Sequence, residues 1–119
     1  MKNTLVLGAS ENPSRYSYMA TSRLNGYGHK VFAVGLKEGK IGQTAIHKEF
    51  PSDESIDTVT LYMNPTNQEQ YIDRILALNP KRIIFNPGTE NPKLESLAAQ
   101  HGIEAVEGCT LVMLASGEY

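Results

Sequence analysis

The chain has 119 residues, with 11 basic and 13 acidic side chains and a formal net charge of −2. Its length suits one domain with its own buried core, so we expect a single domain over residues 1–119. The near-neutral charge argues against a general attraction to nucleic acid, and no apolar run is long enough to span a membrane.

Apolar runs alternate with segments of helical period along the chain, which is the pattern of a parallel sheet covered on both faces. Five strands are predicted, at residues 4–7, 30–34, 58–63, 82–85 and 103–106. Three apolar helix faces are predicted between them, formed by Ala20, Leu24 and Tyr27, by Ile72, Ile75 and Leu76, and by Leu94, Leu97 and Ala98. Residues 35–55 are predicted as an irregular connection with a short extended piece near Ala45, and residues 110–119 as a closing helix.

Capping residues and prolines predict where the helices begin and end. The predicted boundaries are Gly26 as the first C-cap, a capping box of Thr66 and Glu69, a stop at Asn79-Pro80, a start at Asn91-Pro92, and a stop at Gly102. Right-handed crossovers then give a three-layer, Rossmann-like α/β fold with a doubly wound parallel sheet, most simply in the strand order 3-2-1-4-5. In that order the ligand crevice opens between strands one and four, and its expected lining is Gly8–Ser10, Asn64-Pro65 and Asn86–Gly88.

The turn from Gly8 to Ser10 has the layout of a phosphate site, because it follows the first strand and leads towards a helix. Gly8 has no Cβ, so the chain can turn sharply and let an anion approach the amides that follow, while the Ser10 hydroxyl donates a further hydrogen bond. The complete G-x-G-x-x-G fingerprint is absent, and the same residues also suit an ordinary turn after a core strand.

Lys37 bears on the kind of nucleotide. The second strand is followed by Gly35-Leu36-Lys37, with no carboxylate where an NAD ribose would need one. A lysine there favours a phosphate on the ribose, as in coenzyme A or NADP, although it is equally compatible with a solvated loop. No G-x-x-x-x-G-K-[ST] loop is present for a nucleoside triphosphate.

Several of these motifs occur together in one known family. They are Gly8-Ala9-Ser10, Asn12-Pro13, Arg15, Gly26-Tyr27 before a Val31–Val34 strand, Asn64-Pro65, Gly88 and Cys109. In this combination the chain resembles the small stand-alone CoA-binding proteins, which are similar to the N-terminal domain of the succinyl-CoA synthetase α-subunit. The resemblance covers nearly the whole chain.

The resemblance implies that coenzyme A lies across the crevice, with its diphosphate at Gly8–Ser10 and its pantetheine arm over the fourth strand. The candidate cofactor-binding residues are Gly8, Ala9, Ser10, Pro13, Arg15, Gly35, Lys37, Asn64, Pro65, Gly88 and Cys109. The chain departs from the family pattern at Gly35-Leu36, where Asn-Pro is common. It also departs at Phe85–Gly88, which keeps only an aromatic residue and the glycine of a Trp-x-Gln-x-Gly pattern.

Cys109 is the one side chain at the predicted crevice that could react, and we hypothesise a mixed disulfide with CoA; the alternative is a buried small apolar residue. No nucleophile with a base can be assembled, and the three histidines lack metal-ligand spacing. We therefore expect non-catalytic binding of CoA or an acyl-CoA without a metal. The alternatives are a small NADP-binding redox or regulatory module and a protein-interaction subunit. The lone cysteine favours a cytoplasmic location, and no feature specifies a partner protein or an oligomeric state.

Overall fold

The computed structural model describes residues 1–52 and 54–119. Within them the strands are β1 Thr4–Leu7, β2 Val31–Val34, β3 Gly39–Ile41, β4 Thr44–His47, β5 Thr58–Leu61, β6 Arg82–Phe85 and β7 Glu104–Glu107. The helices are α1 Tyr16–Gly26, α2 Pro65–Gln68, α3 Ile72–Ala77, α4 Pro92–Gln100 and α5 Thr110–Ser116, and a 3-10 turn at Glu69–Tyr71 joins α2 to α3. The predicted Rossmann-like α/β class is confirmed, with seven strands in this part of the chain rather than five.

The centre of the sheet is buried on both faces. Successive side chains of β1 point to opposite faces, so Leu5 and Leu7 join one apolar cluster while Val6 joins the other. Helices α3 and α4 cover the first cluster with residues such as Ile75, and α1 and α5 cover the second with residues such as Leu24. Burial on both faces explains why β1, β5 and β6 are nearly continuous apolar or β-branched runs.

The strand order is β3-β4-β2-β1-β5-β6-β7. All neighbouring pairs are parallel except β3 with β4. The third predicted strand, β5, therefore pairs directly with β1, and the order differs from 3-2-1-4-5. The reason is that β4 occupies the place beside β2 that the predicted order assigned to β5. The point where the chain reverses its direction across the sheet lies between β1 and β5.

The hairpin of β3 and β4 lies within residues 35–55, which were predicted as an irregular connection; β4 matches the short extended piece expected near Ala45, and β3 was not predicted. Ile41 and Ile46 are buried in the cluster beneath α1, and Asn25 of α1 donates a hydrogen bond to the Thr44 hydroxyl at 2.7 Å. Strands of three and four residues are too short to show a clear alternation in the sequence. Their position is decided by the space beside β2 and α1.

Two predicted helix ends are also corrected. The Asn64 side chain accepts the Asn67 amide at 2.9 Å, so Asn64 rather than Thr66 caps α2. At the end of α1, Tyr27 is exposed instead of facing the core, and the left-handed residue is Gly28 rather than Gly26. The predicted cap of α4 by Asn91, with a proline in the first turn, is confirmed.

Candidate functional site

A cavity of about 810 Å³ opens at the carboxyl ends of β1, β2, β5 and β6. Its lining is Gly8–Asn12, Ser14–Ser17, Leu36–Glu38, Tyr62–Asn64, Asn67, Gln70, Tyr71, Pro87 and Thr89. It lies where the chain reverses its direction across the sheet, which is the usual ligand position in open α/β sheets. Its volume is in the range of pockets that hold cofactor-sized molecules.

The predicted binding residues divide between this lining and its surroundings. Those in the lining are Gly8, Ala9, Ser10, Arg15, Lys37 and Asn64. The others do not line it: Pro13 in an exposed turn, Gly35 buried behind Ala9, Pro65 in the first turn of α2, Gly88 between two lining residues, and Cys109 at the N-cap of α5.

Gly8 makes the turn that shapes the cavity. Its φ of +102° is in a region that favours glycine, and an added Cβ would lie 2.9 Å from the carbonyl carbon of Tyr62. The amides of Gly8 and Ala9 both donate to the Val34 carbonyl, at 2.8 and 2.9 Å. Both amides are therefore bonded to the sheet and are not free to donate to a ligand. The sequence predicted that the amides after Gly8 would bind an anion, and for the amide of Ala9 this prediction is wrong.

The first turn of α1 carries backbone amides that the sheet does not use. Arg15 is the N-cap with an extended backbone, and its side chain makes no capping hydrogen bond. The first amides of a helix have no partner within it, and they carry the positive end of its dipole. Because Tyr16 and Ser17 line the cavity, this uncapped turn opens onto it. Such a turn suits an anion.

Ser10 lies in the same lining as this turn. Its Oγ accepts the Asn12 amide at 3.1 Å, so its hydrogen stays available to donate. The Asn12 side chain in turn accepts the amide and the hydroxyl of Ser14, at 3.0 and 2.8 Å. The loop between β1 and α1 is thus held by its own hydrogen bonds.

The mouth of the cavity combines apolar and charged side chains. Tyr16 and Leu36 are exposed at 68 and 72%, which is unusual for large apolar residues on a folded domain. Lys37 and Glu38 are in the lining, and so is Glu11 of the loop after β1. Sequence reasoning missed both carboxylates, although Glu38 directly follows Lys37 and could have been noticed.

Tyr62 forms part of the floor. Its hydroxyl is buried and has no hydrogen-bond partner among the described residues, and the nearby Thr60 and Thr110 hydroxyls bond to each other at 2.8 Å. Burial raises the pKa of Tyr62 to about 12. The side chain packs against the apolar cluster beneath α1, and its hydroxyl stays un-ionised.

Asn86 was expected to line the cavity and instead lies beneath it. Its amide nitrogen donates to the Thr60 hydroxyl at 2.7 Å and the Leu61 carbonyl at 2.8 Å. Its oxygen accepts the Thr110 amide at 2.9 Å. Every hydrogen bond of this buried side chain thus serves to join β5, β6 and α5.

Gln68 supports the cavity wall and was not anticipated. This buried side chain donates to the carbonyls of Met63 and Thr89, both at 2.8 Å, and accepts from Asn91 at 2.9 Å. Met63 and Thr89 belong to two different lining loops. A fully bonded polar network of this kind holds loops in one arrangement. No sequence pattern marks Gln68, because its partners are mainly backbone groups distant in the chain.

Within residues 1–52 and 54–119, no three His, Cys, Asp or Glu side chains come together as a metal cluster. Among the helices of this part of the chain, none combines the length and apolar character needed to cross a membrane.

A family model described as a CoA binding domain matches residues 2–115. The chain is similar to a solved structure of an uncharacterized protein, with 51% identity and a TM-score of 0.96 over 100% of this chain and 98% of the other. A Thermus thermophilus structure shares 21% identity and a TM-score of 0.88 over 99% of this chain and 90% of its own.

The fold is also similar to part of a dinucleotide forming acetyl-coenzyme A synthetase 1 from Candidatus Korarchaeum cryptofilum. The identity is 18% and the TM-score 0.73, over 90% of this chain and 25% of that one. No curated protein matches the sequence.

Proposed function

Because this chain belongs to the family of CoA-binding domains, we propose that it binds coenzyme A or an acyl-CoA in the cavity between β1 and β5. The observation that carries the proposal is the uncapped first turn of α1 beside Ser10. A diphosphate is the part of CoA that matches it, since its oxygens can accept from helix amides, a hydroxyl and the Arg15 guanidinium together.

The remaining parts of CoA would contact other residues of the lining. Lys37 would meet the phosphate on the ribose as a flexible point charge. Tyr16 and Leu36 would cover the flat adenine ring at the mouth. The pantetheine arm would pass along Pro87 and Thr89 after β6, where the left-handed Gly88 between them, with a φ of +90°, turns the backbone.

We propose binding without turnover. Burial raises the pKa of the lining residue Tyr62 to about 12, which makes its hydroxyl a poor candidate for a general base, and Cys109 does not line the cavity. In this proposal the domain senses, carries or presents CoA. Incubation with acetyl-CoA should release no free thiol above the rate without protein, and measurable hydrolysis would show an enzyme instead.

NADP is a second candidate. Lys37 and Glu38 both follow β2, where Rossmann-type domains recognise the ribose of a dinucleotide. A lysine at this position would suit a 2′-phosphate as well as the 3′-phosphate of CoA.

Calorimetric titration with CoA, acetyl-CoA and NADPH tests the proposal. CoA or acetyl-CoA should bind more tightly than NADPH, and Lys37→Ala should weaken CoA binding while leaving 3′-dephospho-CoA nearly unaffected. Tighter binding of NADPH would reverse the assignment. If none of these nucleotides binds, the proposed CoA binding is wrong, and a protein-interaction role is favoured.

A further inference from the structure

Glu11 links two connections that lie far apart in the chain and side by side at the cavity. Its Oε2 accepts a hydrogen bond from the backbone amide of Lys40 at 2.9 Å. Glu11 belongs to the loop after β1, and Lys40 to β3. Glu11 is one of the residues that line the cavity, and this bond joins the loop that bears Ser10 to the hairpin.

Gly39 makes room for this carboxylate. A Cβ at position 39 would lie 2.3 Å from Cδ and 2.6 Å from Oε1 of Glu11. Gly39 does not adopt the left-handed conformation that glycine favours. The missing side chain is therefore needed for space, and the occupant of that space is Glu11.

The segment Leu36–Glu38 is held at both ends by these contacts. Before it, the Gly35 amide donates to the His47 carbonyl at 2.9 Å. After it, Gly39–Ile41 pairs with β4, and the Lys40 amide also donates to Glu11. The three residues between have exposed side chains that line the cavity mouth. A segment this short has little freedom between these anchors, and without Glu11 its far end is held by the pairing with β4 alone.

We propose that Glu11 is a positioning residue, which fixes the Leu36–Glu38 segment so that Lys37 meets the phosphate on the ligand's ribose. This role rests on the CoA binding proposed above. Glu11 acts through Lys37 and the hairpin, without itself holding the phosphate. Its effect therefore depends on whether the ligand carries a phosphate for Lys37 to meet.

Calorimetry with CoA and 3′-dephospho-CoA separates this role from general support of the fold. Glu11→Ala should weaken CoA binding by about tenfold, the scale of one lost hydrogen bond to a charged group, and change dephospho-CoA binding by less than about twofold. Glu11→Gln keeps an oxygen that accepts the Lys40 amide, so it should bind CoA at least as well as the natural protein. Gln43→Ala, in the exposed hairpin turn, is the matched control and should bind both ligands normally.

Gly39→Ala provides an independent test, because it displaces the Glu11 carboxylate without changing any charge. It should reproduce the selective loss of CoA binding, and adding it to Glu11→Ala should cause no further loss. Melting temperatures establish that each variant is folded.

Equal weakening of both ligands by Glu11→Ala, or no weakening of either, would overturn the positioning role. So would normal CoA selectivity in Gly39→Ala. If Lys37→Ala removes the preference for CoA over dephospho-CoA but Glu11→Ala does not, the role of Glu11 fails while CoA binding stands. If the natural protein binds neither ligand, both proposals fail.

Discussion

Gly35 packs so closely against Ala9 that a Cβ at position 35 would lie 2.3 Å from the Ala9 carbonyl oxygen. This contact sets the separation of the loops after β1 and β2, the two loops that carry Ser10 and Lys37. Gly35 was expected to contact the ligand, and its visible role is to let two backbones meet behind the cavity.

Gly35→Ala should therefore destabilise the protein by about 3 kcal/mol, because the obstructing atom is backbone and cannot rotate away. Urea denaturation measures the change. Gly26→Ala is the matched control: nothing lies within 4 Å of its added Cβ, and alanine in a helix should raise stability by about 0.5 kcal/mol. Equal effects of the two substitutions would contradict the contact described for Gly35.

Ser10→Asp should reduce CoA affinity by about 100-fold, because a carboxylate would face the ligand diphosphate. Ser10→Asn is the neutral control, since its side-chain oxygen can also accept the Asn12 amide and keep the turn. We expect it to bind within about fivefold of the natural protein. Calorimetry compares the two, and unchanged binding by Ser10→Asp would place the diphosphate elsewhere.

Gln68→Leu should lower the free energy of unfolding by about 3 kcal/mol, because it leaves two carbonyls and the Asn91 amide without their partner. Chemical denaturation is again the measurement. The exposed neighbour Gln70, changed to leucine, should shift stability by no more than about 0.5 kcal/mol. A Gln68 variant as stable as the natural protein would mean that the network does not hold the two loops.

Tyr62→Phe should leave stability unchanged or raise it by up to about 1 kcal/mol, since it removes a buried hydroxyl without a partner among the described residues. Tyr119→Phe makes the same chemical change at a hydroxyl that bonds to Thr4 at 2.5 Å, and should cost about 1 kcal/mol. Thermal unfolding of the pair tests this difference. A larger loss at position 62 would show that its hydroxyl is paired.

His29 should make stability depend on pH. Burial, followed by the nearby N-terminal ammonium, Lys2 and Arg82, lowers the pKa of His29 from its ordinary value of 6.5. Its Nδ1 also accepts the Lys2 amide at 3.1 Å, a bond that protonation of this nitrogen would break. A lowered pKa in the folded state means that the unfolded chain binds the proton more tightly.

The stability associated with neutral His29 is therefore complete above pH 6.5 and is lost as the pH falls through the lowered pKa of the folded state. Denaturation at a series of pH values should give a shallower slope for His29→Gln than for the natural protein in this interval. Identical slopes would show that His29 does not titrate differently on folding.

Local patterns were sufficient for the parts of the fold that depend on neighbouring residues. The buried run ending at Gly8 predicts β1 and its turn, and Asn91 followed by a proline predicts the start of α4. Six of the candidate residues, from Gly8 to Asn64, line one cavity because each follows a strand, and the carboxyl ends of parallel strands meet at one edge.

The features that were not predicted involve partners distant in sequence. Glu11 is held by the Lys40 amide 29 residues away, and Gln68 by Thr89 21 residues away. Neither pairing leaves a periodic or capping signal. The sequence also did not reveal which backbone amides are free to bind a ligand. The amides of Gly8 and Ala9 donate to the carbonyl of Val34, which is distant in the chain.

The sequence by itself determined the α/β class and the turn at Gly8, because apolar periodicity, capping and glycine conformation act over a few residues. Only the tertiary structure decided that β5 lies beside β1. That choice depends on which strand fills the space next to β2, and β4 fills it by burying Ile46 against the core beneath α1. The cavity and its polar supports follow from this placement, since they are built by loops that meet only after the sheet has formed.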